Sequence, residues 1–221
     1  MFETLLGLPL FQGLGYGDLT RILESTRLDF ETAAAGSVLI QQDQLCEGLT
    51  FVLEGDIILT TRSADRTWSV EETMATPFVC GLEVLYGSLR HYRHTLMTRS
   101  ETRLLQMDKR TVGALIAYFE VFRLNVMNLL TTTVVRHDML HWLPAEQSLK
   151  GRIRGFMRAH VLRPAGEKHF RISQQKMGEY LGEDKRFVAR ALHEMEHDGL
   201  LQLERQDIFI PSFEALLSAS F

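Results

Sequence analysis

The chain has 221 residues, 45% hydrophobic and 24% charged, with a net charge of −4. That supplies apolar surface for two modest cores and a charge content that argues against wholesale disorder. Two cysteines, Cys46 and Cys80, form neither a disulfide framework nor a paired-cysteine metal motif. No apolar run approaches the roughly 20 residues of a membrane span, and the acidic N-terminus is not a secretion signal. A cytoplasmic protein without a membrane partner is expected.

Taken in chain order, Leu19, Ile22 and Leu23 stand at helical spacing within Tyr16 to Thr26, a helix expected to cap the strand-rich region after it. From about residue 27 to 108, short apolar runs recur about every ten residues: Val38-Leu39-Ile40, Phe51-Val52-Leu53, Ile57-Ile58-Leu59, Trp68-Ser69-Val70 and Leu104-Leu105-Gln106-Met107. Gly36, Asp43, Gly48, Gly55, Ser63-Ala64-Asp65 and Pro77 punctuate them, which predicts an antiparallel barrel or sandwich. Residues 110–143 then read as one long helix. Its apolar stripe runs through Val112, Leu115, Phe119, Phe122, Val126, Leu129, Thr133 and Leu140, at alternating steps of three and four except the seven-residue step across Arg136. Such a stripe packs along a partner helix or against the chain's own barrel. Leu143-Pro144 closes the run, because proline cannot continue the hydrogen-bond ladder.

Residues 147–221 form a third region, with a helix over Leu149–Val161, a loop through Pro164-Ala165-Gly166, two short helices and a hairpin. Residues 1–146 hold 12 Lys+Arg against 18 Asp+Glu, whereas 147–221 hold 12 against 10. The sign change matters only if the cations share a face. Ser173 is a suitable N-cap for a helix burying Met177, Tyr180 and Leu181; Gly182 makes a tight turn, and Asp184 caps a second helix burying Val188, Leu192 and Met195. The other face of that second helix carries Lys185, Arg186, Arg190 and His193. Cations at a helix start oppose the helix dipole, so local stability does not account for them. Phosphates and guanine edges would, although a helical hairpin with a solvated basic face has the same local pattern. Asp198-Gly199 stops the helix, and Leu200–Leu203 with Ile208–Ile210 read as a wing hairpin.

The order of β-roll, long helix and winged helix-turn-helix resembles the Crp/Fnr family of bacterial regulators over nearly the whole chain. The resemblance rests on Gly36-x-Val-Leu-Ile, on Leu49-Thr-Phe-Val-Leu-Glu-Gly55, on Gly151-Arg152-Ile153 and on Met177-Gly178 through Leu200. Asp43 stands where members usually carry glycine, a mild change because Asp tolerates left-handed turns. The resemblance implies an α+β fold: a double-stranded β-helix (β-roll) sensor over residues 1–109, a dimerisation helix over 110–143, and a winged helix-turn-helix over 147–221. It also implies a non-enzymatic transcription regulator, a homodimer paired through Phe119, Phe122, Val126, Leu129, Thr133 and Leu140. Its partners would be double-stranded DNA at a pseudo-palindromic site, a second copy of itself and RNA polymerase. Carried over by position, Lys185, Arg186 and Arg190 would contact DNA, and Ser173 and Gln174 would contact phosphates. Arg186 falls where many members have glutamate, so the half-site should differ from the familiar one.

The sensor departs from the family's cyclic-nucleotide pattern, in which a glutamate accepts from the ribose and an arginine neutralises the phosphate. Gapless counting keeps Gly81 but puts Leu82 at the glutamate position, Tyr92 at the arginine and Arg93 at the serine. A one-residue slip would bring in Glu83 and Arg93 instead, but such a slip flips a strand's side chains to the opposite face. On the long helix, His137 and Asp138 stand where members touch the base. An effector other than cAMP, or none, is expected. An iron–sulfur cluster is excluded by the cysteine count. A haem or metal site at His91, His94, His137 and His141 is the weaker reading, and Cys80 reads as a small buried hydrophobe rather than a redox switch. A cupin-type enzyme would need a His-x-His pair, which His91-Tyr-Arg-His94 does not supply. A binding module that signals through protein contacts alone is the remaining rival.

Overall fold

The computed structural model describes residues 2–26, 28–142, 144, 146–205 and 207–221, with the side chains of Phe2 and His141 outside the description. The expected end of the long helix at Leu143 and the ligand role of His141 therefore lie outside the described residues. Two compact units emerge, Met1–Ile57 with Met74–His141, and Ile58–Thr73 with Trp142–Phe221.

The first unit opens with α1 (Phe2–Leu6) and α2 (Tyr16–Ser25), the second of these the expected helix, burying Leu19 and Ile22. Strands β1 (Asp29–Ala33), β2 (Val38–Ile40) and β3 (Gly48–Glu54) are next. Strands β4 (Ile57–Arg62) and β5 (Ser69–Met74) succeed them in the chain, then β6 (Phe78–Cys80), α3 (Leu82–Leu85), β7 (Thr95–Thr98) and β8 (Thr102–Asp108). One sheet has the order β1-β8-β3-β6, all antiparallel, and β2 pairs with β7. Every residue from Leu49 to Leu53 is buried, so β3 is covered on both faces and reads as an apolar run interrupted only by Thr50. Asp43 takes a left-handed φ of 69°, the conformation its short polar side chain tolerates.

The stretch expected as one helix is two, α4 (Lys109–Tyr118) and α5 (Glu120–His141), bent by 112°. Phe119 is extended at the break and donates its amide to the Leu115 carbonyl. No proline or glycine causes the kink; packing does. Val112 and Leu115 on α4 and Phe122 and Val126 on α5 are all buried, and a straight helix would carry the second pair away from the core that the first pair enters. Phe122 meets Phe11 edge-on at 5.3 Å, and Phe11 meets Phe51 at 5.7 Å. Among the described residues no single helix is long and apolar enough to cross a membrane.

The second unit contains α6 (Leu149–Ala159), β9 (Lys168–Arg171), α7 (Gln174–Leu181), α8 (Lys185–His197), β10 (Gln202–Glu204), β11 (Asp207–Ile210) and α9 (Phe213–Ser218). Its sheet runs β10-β11-β9-β5-β4. The β4–β5 hairpin, which in chain order lies amid the β-roll strands, thus extends the wing sheet: Val70 pairs with Phe170 and Glu72 with Lys168. Trp68 and Val70 join Ile153, Phe156, Phe170, Met177, Leu192 and Phe213 in one core. The Trp68 indole donates to the Tyr180 hydroxyl at 3.1 Å. Glu72 and Lys168 are both buried, 3.6 Å apart, and Glu72 also accepts from the amides of Leu162 and Arg163. Burial pushes the Lys168 ammonium down from its ordinary pKa, against the pull of Glu72.

Candidate nucleic-acid interface

Local chemistry sets the two helices α7 and α8. The Ser173 hydroxyl accepts from the Lys176 amide at 3.1 Å and starts α7. Gly182, at φ 66°, closes α7 in the left-handed C-cap conformation. The Asp184 carboxylate accepts from the Arg186 amide at 2.8 Å and starts α8, a contact that holds the Asp184 carboxyl below the usual carboxylate range. The helices cross closely because residue 178 is glycine: a Cβ there would lie 2.5 Å from the Glu183 carbonyl oxygen. Val188, Ala191, Leu192 and Met195 turn inward, and that fixes what turns outward.

Lys185, Arg186 and Arg190 are all exposed, the latter two by 86% and 79% of their side-chain surface. Arg186 Nε lies 3.4 Å from Asp184, and Arg190 Nε donates to Glu194 at 3.1 Å. Glu194 also faces Lys150 at 3.2 Å, and these two cations, Lys150 first, hold its carboxyl below the usual range. Exposed pairs of this kind are worth about 0 to 1 kcal/mol, so both arginines can be redirected to another acceptor at small cost. Lys176 is differently placed, tied to Asp65 at 2.9 Å and Glu179 at 3.5 Å.

Ser173, Gln174 and Lys185 line a concave groove of about 270 Å³, floored by Ile172, Leu192 and Ile208. Two side chains that sequence reasoning missed belong to this surface. Arg205, in the turn between β10 and β11, lines the same groove; the signal was a basic residue at a wing tip. Phe187 on α8 is exposed, and its signal was an apolar residue outside the inward set of 188, 191, 192 and 195. The groove brings two helix starts and the cations Lys185 and Arg205 together with the carboxylate of Glu204, and the outer face of α8 presents guanidinium donors beyond it.

The residues expected to bind an effector differ in exposure. Gly81, Leu82 and Tyr92 are buried, whereas Glu83, Arg93, His137 and Asp138 are exposed. Gly81 takes φ 98°, and a Cβ there would sit 3.0 Å from the Gly48 carbonyl oxygen and 3.1 Å from both Cys46 Sγ and the Tyr92 ring. The Tyr92 hydroxyl donates to Gly48 at 3.3 Å. Burial, then contact with Cys46, raises the Tyr92 phenol above its ordinary pKa, and burial, with Glu83 and Cys46 adding to it, raises the Cys80 thiol likewise. The turn that holds phosphate in the cyclic-nucleotide pattern is here packed with an aromatic ring. Among the described residues, no cluster of three or more His, Cys, Asp or Glu side chains could hold a metal ion.

The residues of the expected dimerisation stripe differ in burial within the single chain. Phe122 and Val126 are buried inside the first unit, and Phe119, Leu129, Thr133 and Leu140 are half-buried. The three-and-four stripe read from the sequence is the side of α5 that faces the chain's own fold. Its outward side carries Leu124, Met127, Val134, Val135 and Met139, all exposed.

A β-roll followed by a long helix and a winged helix-turn-helix is the fold of the Crp/Fnr regulators. Among solved structures, the catabolite activator protein of Thermus thermophilus superposes with a TM-score of 0.54 at 20% identity, covering 95% of this chain and 96% of that one. A Crp/Fnr-family chain from Eubacterium rectale, proposed there to be a transcriptional regulator, superposes with a TM-score of 0.53 at 17% identity, covering 95% and 96%. At such identities the likeness establishes the fold. No protein-family model and no curated protein matches the chain.

Proposed function

We propose that this protein is a cytoplasmic transcription regulator that binds double-stranded DNA as a homodimer, at a pseudo-palindromic operator read in adjacent major grooves. The observation that carries the reading is the outer face of α8, where Arg190 stands exposed and where Lys185 and Arg186 stand exposed at the start of a helix whose dipole they oppose. Arg190 donates bidentately to a guanine edge, Arg186 reads a neighbouring base as a donor, and Lys185, with Ser173, Gln174 and Arg205, holds phosphates. Because Arg186 offers donors only, the half-site differs from those read by family members that carry glutamate there. The two copies pair through the outward face of α5, since an exposed apolar face carrying Leu124, Met127, Val134, Val135 and Met139 is what a partner helix covers. RNA polymerase is the protein partner on the promoter. The β-roll responds to an effector other than cAMP, or to none, because by the resemblance Leu82 and Tyr92 stand where a glutamate and an arginine would hold the ribose and phosphate.

Selection from a pool of random duplexes tests the reading. It expects enrichment of an inverted repeat with half-site centres about one helical turn apart. Against that duplex, Arg190→Ala loses about tenfold to hundredfold in affinity at fixed salt, the worth of a good bidentate contact of about 1–3 kcal/mol. Unchanged affinity would remove Arg190 from the interface. No retention of any duplex at low salt would leave a module that signals through protein contacts.

A further inference from the structure

The recognition helix carries one large apolar side chain that the core does not take in. Val188, Ala191, Leu192 and Met195 are buried, whereas Phe187 is 59% exposed. It is fixed in the first turn of α8, its amide donating to the Asp184 carbonyl at 3.0 Å. With about 100° of rotation per residue, its direction falls about 60° from that of Arg190 and about 100° from that of Arg186. The ring therefore flanks the cationic face at the end of the helix that would enter a groove. Arg186 and Arg190 beside it select a polyanion as the surface that covers the ring, and they disfavour an apolar protein partner, which would have to desolvate two charges. The apolar group that a DNA major groove offers to a phenyl ring is the C5 methyl of thymine.

We infer that Phe187 is a specificity-determining residue that packs on a thymine methyl group in each half-site, beside the bases read by Arg186 and Arg190. The inference rests on the DNA-binding reading and adds to it a base preference that needs no hydrogen bond. Cytosine, lacking the methyl, is disfavoured at that position.

Uracil removes the thymine methyl and leaves the base-pairing edge intact, so uracil-substituted duplexes isolate the contact. In the duplex selected by the wild-type protein, each thymine is replaced in turn, symmetrically in both half-sites, and affinity is measured for the wild type and for Phe187→Ser. One position is expected at which uracil weakens wild-type binding about fourfold per half-site, the transfer free energy of one buried methyl. Phe187→Ser is expected to bind the thymine and uracil duplexes equally. If the wild type binds every uracil duplex as tightly as its parent, or if Phe187→Ser keeps the same uracil penalty, the inference fails while DNA binding stands. If Phe187→Ser binds DNA unchanged but loses association with another protein, the ring serves that protein and the inference fails. If no duplex is selected at all, the DNA-binding reading falls and the role of Phe187 falls with it.

Discussion

Along α8 the cationic side chains stand out from the fold. Arg186 and Arg190 are held only by exposed acidic neighbours, and the apolar residues that anchor the helix are all on its other side. In the β-roll the positions that the Crp/Fnr resemblance assigns to a ligand are filled from within: Tyr92 closes on Gly81, Gly48 and Cys46, and Leu82 is buried beside them. A cation kept in water is cheap to hold and easily handed to a phosphate or a base, so its presence on one face calls for a partner. An interior position has no such neutrality, because it is filled by the chain, filled by a ligand or left as a costly cavity. The chain therefore keeps the cations of α8 in water and fills the space around Gly81 with its own side chains.

The largest effect that could break this contrast is expected at Tyr92. If its ring fills the β-roll, Tyr92→Ala destabilises the first unit by about 3–5 kcal/mol, seen as an earlier urea transition for that unit. A loss under about 1 kcal/mol would mean that the ring occupies space the fold does not need. Next comes a pH effect in the same unit. Burial, with Arg93 adding to it, holds the pKa of His94 down at about 4. The folded chain thus keeps the imidazole neutral, while the unfolded chain protonates it near 6.5. The stability this group contributes is fully present above about pH 7 and is lost as pH falls from about 6.5 to about 4, by roughly 2–3 kcal/mol. His94→Asn should flatten that part of the stability curve, and an unchanged slope would assign it to the carboxylates. The smallest expected effect is the sharpest for function. Millimolar cAMP should shift the melting temperature by less than about 1 °C, because a ligand stabilises only the state it binds. A rise of several degrees would show that Tyr92 and Leu82 move aside for a nucleotide.

The helix-turn-helix was legible because its determinants are local. Ser173 and Asp184 cap, Gly182 turns, and 188, 192 and 195 face inward at helical spacing, all within a few residues of what they control. The short apolar runs of the β-roll were legible for the same reason, and so was the left-handed turn at Asp43.

Tertiary packing decided the rest. The apolar periodicity of residues 110–140 is real, but periodicity does not say which body a stripe faces or whether the helix stays straight. Only a shared core around Phe11 requires the break at Phe119 and turns Phe122 inward, leaving Leu124, Met127, Val134 and Val135 as the outward face. Likewise, no local pattern singles out Lys168 or Glu72, and only the pairing of β5 with β9 across 96 positions of chain brings them together in a buried pair. Sequence by itself determined the caps, turns and strand runs, because those are set by neighbours along the chain. Which faces meet, and which remain for a partner, was set by contacts between segments far apart in sequence.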